Sequence, residues 1–253
     1  MIKQLLATAT EAAYAAGKAI LAVYESDNFD TQQKADESPV TAADKAAHSI
    51  ISEYLTPTHL PILSEEGLHQ DYQTRSQWEY FWLVDPLDGT KEFISKNGEF
   101  TVNIALIHKN KPIAGVVYAP VLGDLYYGSK ETGVYKNNIL INPKKEPATL
   151  QDLLNKPSIT IIASRRNLTD ETKDFIAQFS HVSLTSMGSS LKFMLLLEGK
   201  ADLYPRLFPT MEWDTAAAHA ILNASNRGIY HTNGNEELTY NKVNLKNSYF
   251  LSY

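Results

Sequence analysis

The sequence predicts helices layered on sheet, a helix-rich α+β part followed by an alternating α/β part, together an α+β / α/β layered sandwich. Three observations carry this expectation. Apolar residues recur at helical spacing near the N-terminus, period-two alternation governs the middle of the chain, and strand and helix patterns alternate beyond about residue 146.

In order, Ile2, Leu5, Leu6, Ala9, Ala12, Ala13, Ala16, Ile20 and Tyr24 mark a first helix reaching about Glu25. Ser38-Pro39 reads as the opening of a second, with Ala46, Ala47, Ile50, Ile51, Tyr54 and Leu55 on its buried side. Short apolar runs at 60–63 and 80–84 read as buried strands. Residues 101–107 alternate, with Val102, Ile104 and Leu106 on one side, and 112–119 and 125–127 extend an antiparallel meander. At 142–147 two prolines bracket a polar run, which sets the expected division: an N-terminal half, 1–145, and a C-terminal half, 146–253, of one compact unit. Beyond it come strand 159–163, helix 169–179, strand 182–184, helix 189–198, strand 201–204 and helix 214–222.

Composition narrows the function. The 253 residues are 43% hydrophobic and 21% charged, as in an ordinary globular chain. The absence of cysteine excludes disulfides, thiolate zinc sites and cysteine nucleophiles, and fits a reducing compartment. A net charge of −6 argues against a general nucleic-acid binder. No apolar run approaches a membrane span, since the run Phe193 to Leu197 is stopped by Glu198 and Gly199, and the N-terminus reads as an amphipathic helix rather than a signal peptide. The expectation is a cytoplasmic protein, a monomer or homodimer, with attachment to the inner face of the cell membrane as the one membrane association left open. A phosphate substrate would need a recruited cation in so acidic a chain, and a bound metal supplies one.

Carboxylates stand out by position. Asp85 and Asp88 sit where a buried strand ends in a proline-containing turn, where α/β sheets place ligand-binding groups. Glu65 and Glu66 follow the preceding apolar strand, Asp44 lies in the first turns of the second helix, and Asp214 opens a late one. Such acids repel one another unless a divalent cation joins them, and hard cations such as magnesium take oxygen ligands, to which a turn carbonyl like that of Leu87 can contribute. Each has a plainer reading. Thr41-Ala42-Ala43-Asp44 fits a capping box, Asp214 an N-cap, and Asp88-Gly89 an ordinary turn. Spacing leaves both readings open.

Other phosphatase chemistries are excluded by motif. Asp85 and Asp88 are three apart, not the two of an Asp-x-Asp aspartyl-phosphate enzyme, and there is no Walker loop, Gly-x-Ser-x-Gly elbow or His-Glu-x-x-His.

Five separated segments resemble, in order, the lithium-sensitive, magnesium-dependent phosphatases related to inositol monophosphatase. They are Ser38-Pro39-Val40-Thr41-Ala42-Ala43-Asp44, Leu63-Ser64-Glu65-Glu66, the stretch from Trp82 to Phe93, Gly98-Glu99-Phe100-Thr101-Val102-Asn103, and Trp213-Asp214-Thr215-Ala216-Ala217. The resemblance covers nearly the whole chain and implies the αβαβα sugar-phosphatase-like fold. It also implies the roles. Glu65, Asp85 and the Leu87 carbonyl would hold one magnesium, and Asp85, Asp88 and Asp214 a second, with Glu65 also assisting a third. Thr90 and Asp44 would orient and deprotonate the attacking water, and the backbone amides of Gly89 and Thr90 would cradle phosphate oxygens.

Within that family, Lys91-Glu92-Phe93-Ile94, Tyr118-Ala119-Pro120, and Leu125-Tyr126-Tyr127-Gly128 are similar to the bacterial 3'(2'),5'-bisphosphate nucleotidase branch. Gly188-Ser189-Ser190-Leu191-Lys192 and the segment from Ala201 to Arg206 resemble the parts that hold a nucleotide there. The resemblance implies that Lys192 and Arg206 bind the phosphate that is not cleaved, assisted by Ser189, and that Leu87, Asp88, Gly89, Thr90 and Asp214 also contact substrate. The implied reaction is hydrolysis of adenosine 3',5'-bisphosphate to AMP and phosphate, with phosphoadenylyl sulfate as a second substrate. The alternatives on the same fold are an inositol or sugar phosphatase and a non-catalytic regulatory binding protein. Ala218 and Ser248 depart from the family's usual glycine and proline, and neither is an implied ligand.

Overall fold

The computed structural model describes residues 1–26, 32–33, 39–142, 149–163 and 169–253. The first helix, α1 (Ile2–Ser26), buries Leu6, Ala9, Ala12, Ala13, Ala16 and Ile20, a stripe of mostly small side chains that lets it lie close to its neighbours. The opening of the second helix differs from expectation. Pro39–Val40 forms a short strand, β2, paired antiparallel with β1 (Gln32–Gln33), while Ser38 lies outside the described residues. The helix α2 (Ala42–Leu55) starts only after Thr41. Thr41 supplies the cap and Asp44 the reciprocal carboxylate, so the backbone donors are satisfied there and not at the proline.

Both helices pack on a seven-stranded sheet, β3 (Ile62–Ser64), β4 (Tyr80–Asp88), β5 (Thr101–His108), β6 (Lys111–Ala119), β7 (Asp124–Ser129), β8 (Gly133–Lys136) and β9 (Ile139–Leu140), in that spatial order. Within this sheet β3 and β4 pair in parallel and every other neighbouring pair is antiparallel. Two short helices, α3 (Tyr72–Arg75) and α4 (Thr90–Ile94), flank β4. The alternation along β5 sorts two apolar faces. Val102, Ile104 and Leu106 meet the layer of α1 and α2, whereas Ala105 and Ile107 face the other core. Thr101 and Asn103 are the buried polar exceptions on this strand.

The opposite layer comes from the second part of the chain. After α5 (Leu150–Leu154), β10 (Ile159–Ile162) pairs in parallel with β11 (Val182–Thr185) across α6 (Asp170–Ile176). Then follow α7 (Leu191–Leu197), β12 (Tyr204–Arg206), α8 (Ala216–Asn223), β13 (Ile229–His231) and β14 (Phe250–Ser252), the three strands forming a small sheet in the order β12-β14-β13. Leu191, Met194, Ala217 and Ile221 pack with Phe81, Leu83, Ala105 and Val117 in one core. The expected boundary between 145 and 146 lies outside the described residues.

Three elements are corrected in this region. The expected helix 189–198 begins at Leu191, because Ser189 has a left-handed φ of 51° and the Ser190 N–H is directed to Asp88. The expected strand 201–204 is moved to Tyr204–Arg206, with Leu203 bridging Ile161. The expected helix 214–222 divides into a 3-10 turn, Glu212–Asp214, and α8, so Asp214 is not its N-cap. Asp214 Oδ2 instead accepts the Met211 N–H at 2.9 Å.

Candidate active site

Parallel pairing of β3 and β4 places Ser64 beside Val84, so Glu65 and Asp85 leave adjacent strands at the same end. The Glu65 N–H donates to the Val84 carbonyl at 3.1 Å, which carries that register one residue further. Asp85 Oδ1 accepts the Leu87 N–H at 3.1 Å and so folds the turn that holds the buried Leu87. The β4–β5 register shifts between Asp85 and Asp88, and this irregularity re-aims the strand end.

Asp214 arrives from the other layer. One carboxylate oxygen from each of Glu65, Asp85 and Asp214 lies within 4.8 Å of the other two. Burial, then the charges of Glu65, Asp88, Asp214 and Asp44, hold Asp85 well above the usual carboxylate range. Asp214 is raised likewise, by burial and then by Asp88. An all-oxygen donor set centred on the buried Asp85, whose members repel one another, suits a hard divalent cation such as magnesium.

Asp44 caps α2 and also reaches the turn that follows Asp88. Its Oδ2 accepts from the Thr41 N–H at 2.7 Å and the Thr41 hydroxyl at 2.6 Å, which caps α2. Its Oδ1 accepts the Thr90 hydroxyl at 3.3 Å, reaching the turn after Asp88. Gly89 makes that turn possible. Its φ is 93°, and a Cβ there would stand 3.3 Å from the Ser189 Cβ and 3.4 Å from the Phe100 Cα.

A cleft of about 250 Å³ is lined by Asp88, Gly89, Ser189, Lys192, Arg206 and Asp214. Asp214 belongs also to the three-carboxylate cluster, so cleft and cluster share a wall. Tyr204, Phe193 and Phe250 give the cleft an apolar side. Lys192 Nζ donates to the Ser189 carbonyl at 3.2 Å, and burial pushes its ammonium down to about 8, against the pull of Asp88. Arg206 lies over the Phe208 ring at 5.4 Å, and its buried Nε has no hydrogen-bond partner among the described residues.

Asp88 stands apart from the cluster of three. Its Oδ2 accepts from the Ser189 hydroxyl at 2.6 Å, the Ser190 N–H at 2.8 Å and the Ser190 hydroxyl at 3.0 Å. Ser189, expected to face substrate, thus directs its hydroxyl to Asp88. Sequence reasoning passed over Ser190, Asn103, Thr101 and Glu99. The signal for Thr101 and Asn103 was there, two polar residues at the start of a strand that is apolar from there to Ile107. Ser190 and Glu99 stood within family-like segments but drew no role there, since their partners, Asp88 and the Gly188 N–H at 2.7 Å, are remote in the chain.

The sequence profile of the inositol monophosphatase family matches residues 1–249. The chain belongs to that family. Among its relatives in the family, the 3'(2'),5'-bisphosphate nucleotidase CysQ of Salmonella typhimurium is 46% identical over 229 residues, covering 87% of each chain. The protein of the same name from Haemophilus influenzae is 35% identical over 244 residues, 94% of this chain and 88% of that one. The solved structure of CysQ from Bacteroides thetaiotaomicron, a bacterial family member, superposes with a TM-score of 0.83 at 44% identity over 98% of this chain and 96% of the other. An inositol monophosphatase from Thermotoga maritima shares the fold, with a TM-score of 0.76 at 20% identity over 96% and 89%. No helix among the described residues is long and apolar enough to cross a membrane.

Proposed function

We propose that this family member is a magnesium-dependent 3'(2'),5'-bisphosphate nucleotidase that hydrolyses adenosine 3',5'-bisphosphate to AMP and phosphate, with phosphoadenylyl sulfate as a second substrate. The observation that carries the reading is a cleft that shares Asp214 with the carboxylate cluster and is also lined by the basic side chains of Lys192 and Arg206. A substrate with two phosphates can use both kinds of group, one phosphate reacting at the carboxylate cluster and the other held by the basic side chains. The relatives named as bisphosphate nucleotidases at 46% identity support the same substrate class.

Glu65, Asp85, the Leu87 carbonyl, Asp88 and Asp214 would hold the magnesium ions, two of them and a third near Glu65. Bound there, magnesium would acidify water and neutralise charge on phosphate oxygens. The protein's own groups do the rest. The Thr90 hydroxyl donates a hydrogen bond to Asp44, so its oxygen lone pairs are turned outward to accept from a water. That water passes a proton through Thr90 to Asp44 as its oxygen attacks phosphorus, the bond from phosphorus to the ribose 3' oxygen breaks, and that oxygen takes up a proton from solvent, so the leaving group departs as a hydroxyl. Gly89 and Thr90 N–H groups receive phosphate oxygens, and Lys192 and Arg206 hold the 5'-phosphate.

The test is phosphate release from adenosine 3',5'-bisphosphate and from inositol 1-phosphate, each with magnesium and with chelator. The expected result is turnover of the bisphosphate at least ten-fold faster, lost with chelator. Preference for inositol 1-phosphate, or turnover in chelator, would overturn the assignment.

A further inference from the structure

We infer that Asn103 and Ser190 are positioning residues that make Asp88 a one-oxygen ligand for a cation. The inference rests on the reading of Asp88 as a magnesium ligand and concerns what aims it.

Asp88 Oδ2 accepts from Ser189 Oγ at 2.6 Å, the Ser190 N–H at 2.8 Å, Ser190 Oγ at 3.0 Å and Asn103 Nδ2 at 3.4 Å. A carboxylate oxygen offers about two lone-pair sites, so these donors saturate it. Any cation held by Asp88 must then use Oδ1.

The donors are themselves fixed. Asn103 Nδ2 donates to Ser190 Oγ at 2.9 Å, which leaves the Ser190 hydroxyl proton to point between Asp88 Oδ2 and the Asp214 carbonyl at 2.8 Å. Ser190 therefore touches the two segments that carry Asp88 and Asp214. Thr101 Oγ1 lies 3.0 Å from Asn103 Oδ1 and 2.5 Å from Ser189 Oγ, closing the network from β5. Thr101 donates to Asn103 Oδ1, and Ser189 donates to Asp88 Oδ2. Asn103 and Ser190 are each about 1% exposed. The loop they meet is held from behind. The Gly188 N–H donates to Glu99 Oε2 at 2.7 Å, and a Cβ on Gly188 would come within 2.4 Å of the Glu99 carbonyl oxygen.

Asn103 sits on β5 and Ser190 at the start of α7, both outside the acidic set, and their role is orientation. Outer partners of metal ligands typically change affinity ten- to a hundred-fold when lost. Calorimetric titration of the substrate-free, full-length protein with magnesium chloride reads this directly. Ser190→Ala and Asn103→Leu are each expected to weaken magnesium binding about ten-fold, with Ser190→Thr, which keeps the hydroxyl, close to wild type. Asp88→Asn is the control. Weakened binding in Asp88→Asn but wild-type titrations in Ser190→Ala and Asn103→Leu would overturn the positioning role and leave the ligand assignment standing. Unchanged binding in Asp88→Asn would overturn the ligand assignment and the inference with it. Should Asn103→Leu fail to fold, Ser190→Ala and its threonine counterpart decide alone.

Discussion

Lys192 shows how a single residue can serve the site at a cost to the fold. Its ammonium is buried, and desolvation lowers it from 10.5 to about 8. For a base whose folded value is lowered, the unfolded chain binds the proton more strongly. The penalty is therefore full below about pH 8 and fades as pH rises from there towards 10.5. At pH 7 it amounts to roughly 3 kcal/mol as an upper bound. Lys192→Met is thus expected to raise stability at pH 7 in urea unfolding, and to raise it less at pH 9.5. The same proton receives the uncleaved phosphate in the proposed reaction, so kcat/KM should fall as pH climbs through about 8. Lys192→Arg should move that fall to higher pH. A kcat/KM profile in which Lys192→Arg overlays wild type would remove Lys192 from substrate binding. The acids of the site were legible in the sequence because carboxylates at strand ends are conspicuous. Ser190 and Asn103 were not, since their meaning depends on a partner 87 residues away.

Elements were legible where burial alone set them, and blurred where the site claimed a backbone donor. The helical stripe of α1 and the meander of β5, β6 and β7 fall within a few residues of expectation. The starts of α7 and α8 each lie two residues later than expected, where Asp88 takes the Ser190 N–H and Asp214 takes the Met211 N–H. The turn Glu212–Asp214 shows what holds such an irregular piece. Glu212 is wholly buried, yet accepts the Asn241 N–H at 2.5 Å, the Lys242 N–H at 3.0 Å and Lys242 Nζ at 2.6 Å. Asn241 in turn meets Arg75, the last residue of α3, through its side chain. This chain of contacts fixes the segment that presents Asp214. Glu212→Ala leaves two backbone donors unmatched, at about 1–3 kcal/mol each. The expected outcome is a loss of roughly 3 kcal/mol in urea unfolding, with weaker magnesium binding beside it. A loss under 1 kcal/mol would show that the turn stands without this anchor.

For the whole molecule, the sequence displayed layered helices and sheet but not how distant segments meet. Glu65 and Asp85 come from the large sheet, whereas Asp214 comes from the turn before α8, more than a hundred residues on. A cation held by the three would join the two layers, and without one their charges push the layers apart. Magnesium that binds only the folded chain stabilises it by mass action, by about 2.7 kcal/mol at a hundred times its dissociation constant. The melting temperature should therefore rise with magnesium in the wild type. Asp214→Asn separates this from ordinary packing, because asparagine keeps an oxygen for the Met211 N–H while deleting a charge that burial and Asp88 disfavour. In chelator the variant should melt above wild type, and in saturating magnesium below it. Such a crossing is what a cation bridge produces and a purely structural aspartate does not. If Asp214→Asn melts lower in both conditions, the Asp214 carboxylate serves the turn rather than an ion, and the joining of the layers rests on their shared apolar core alone.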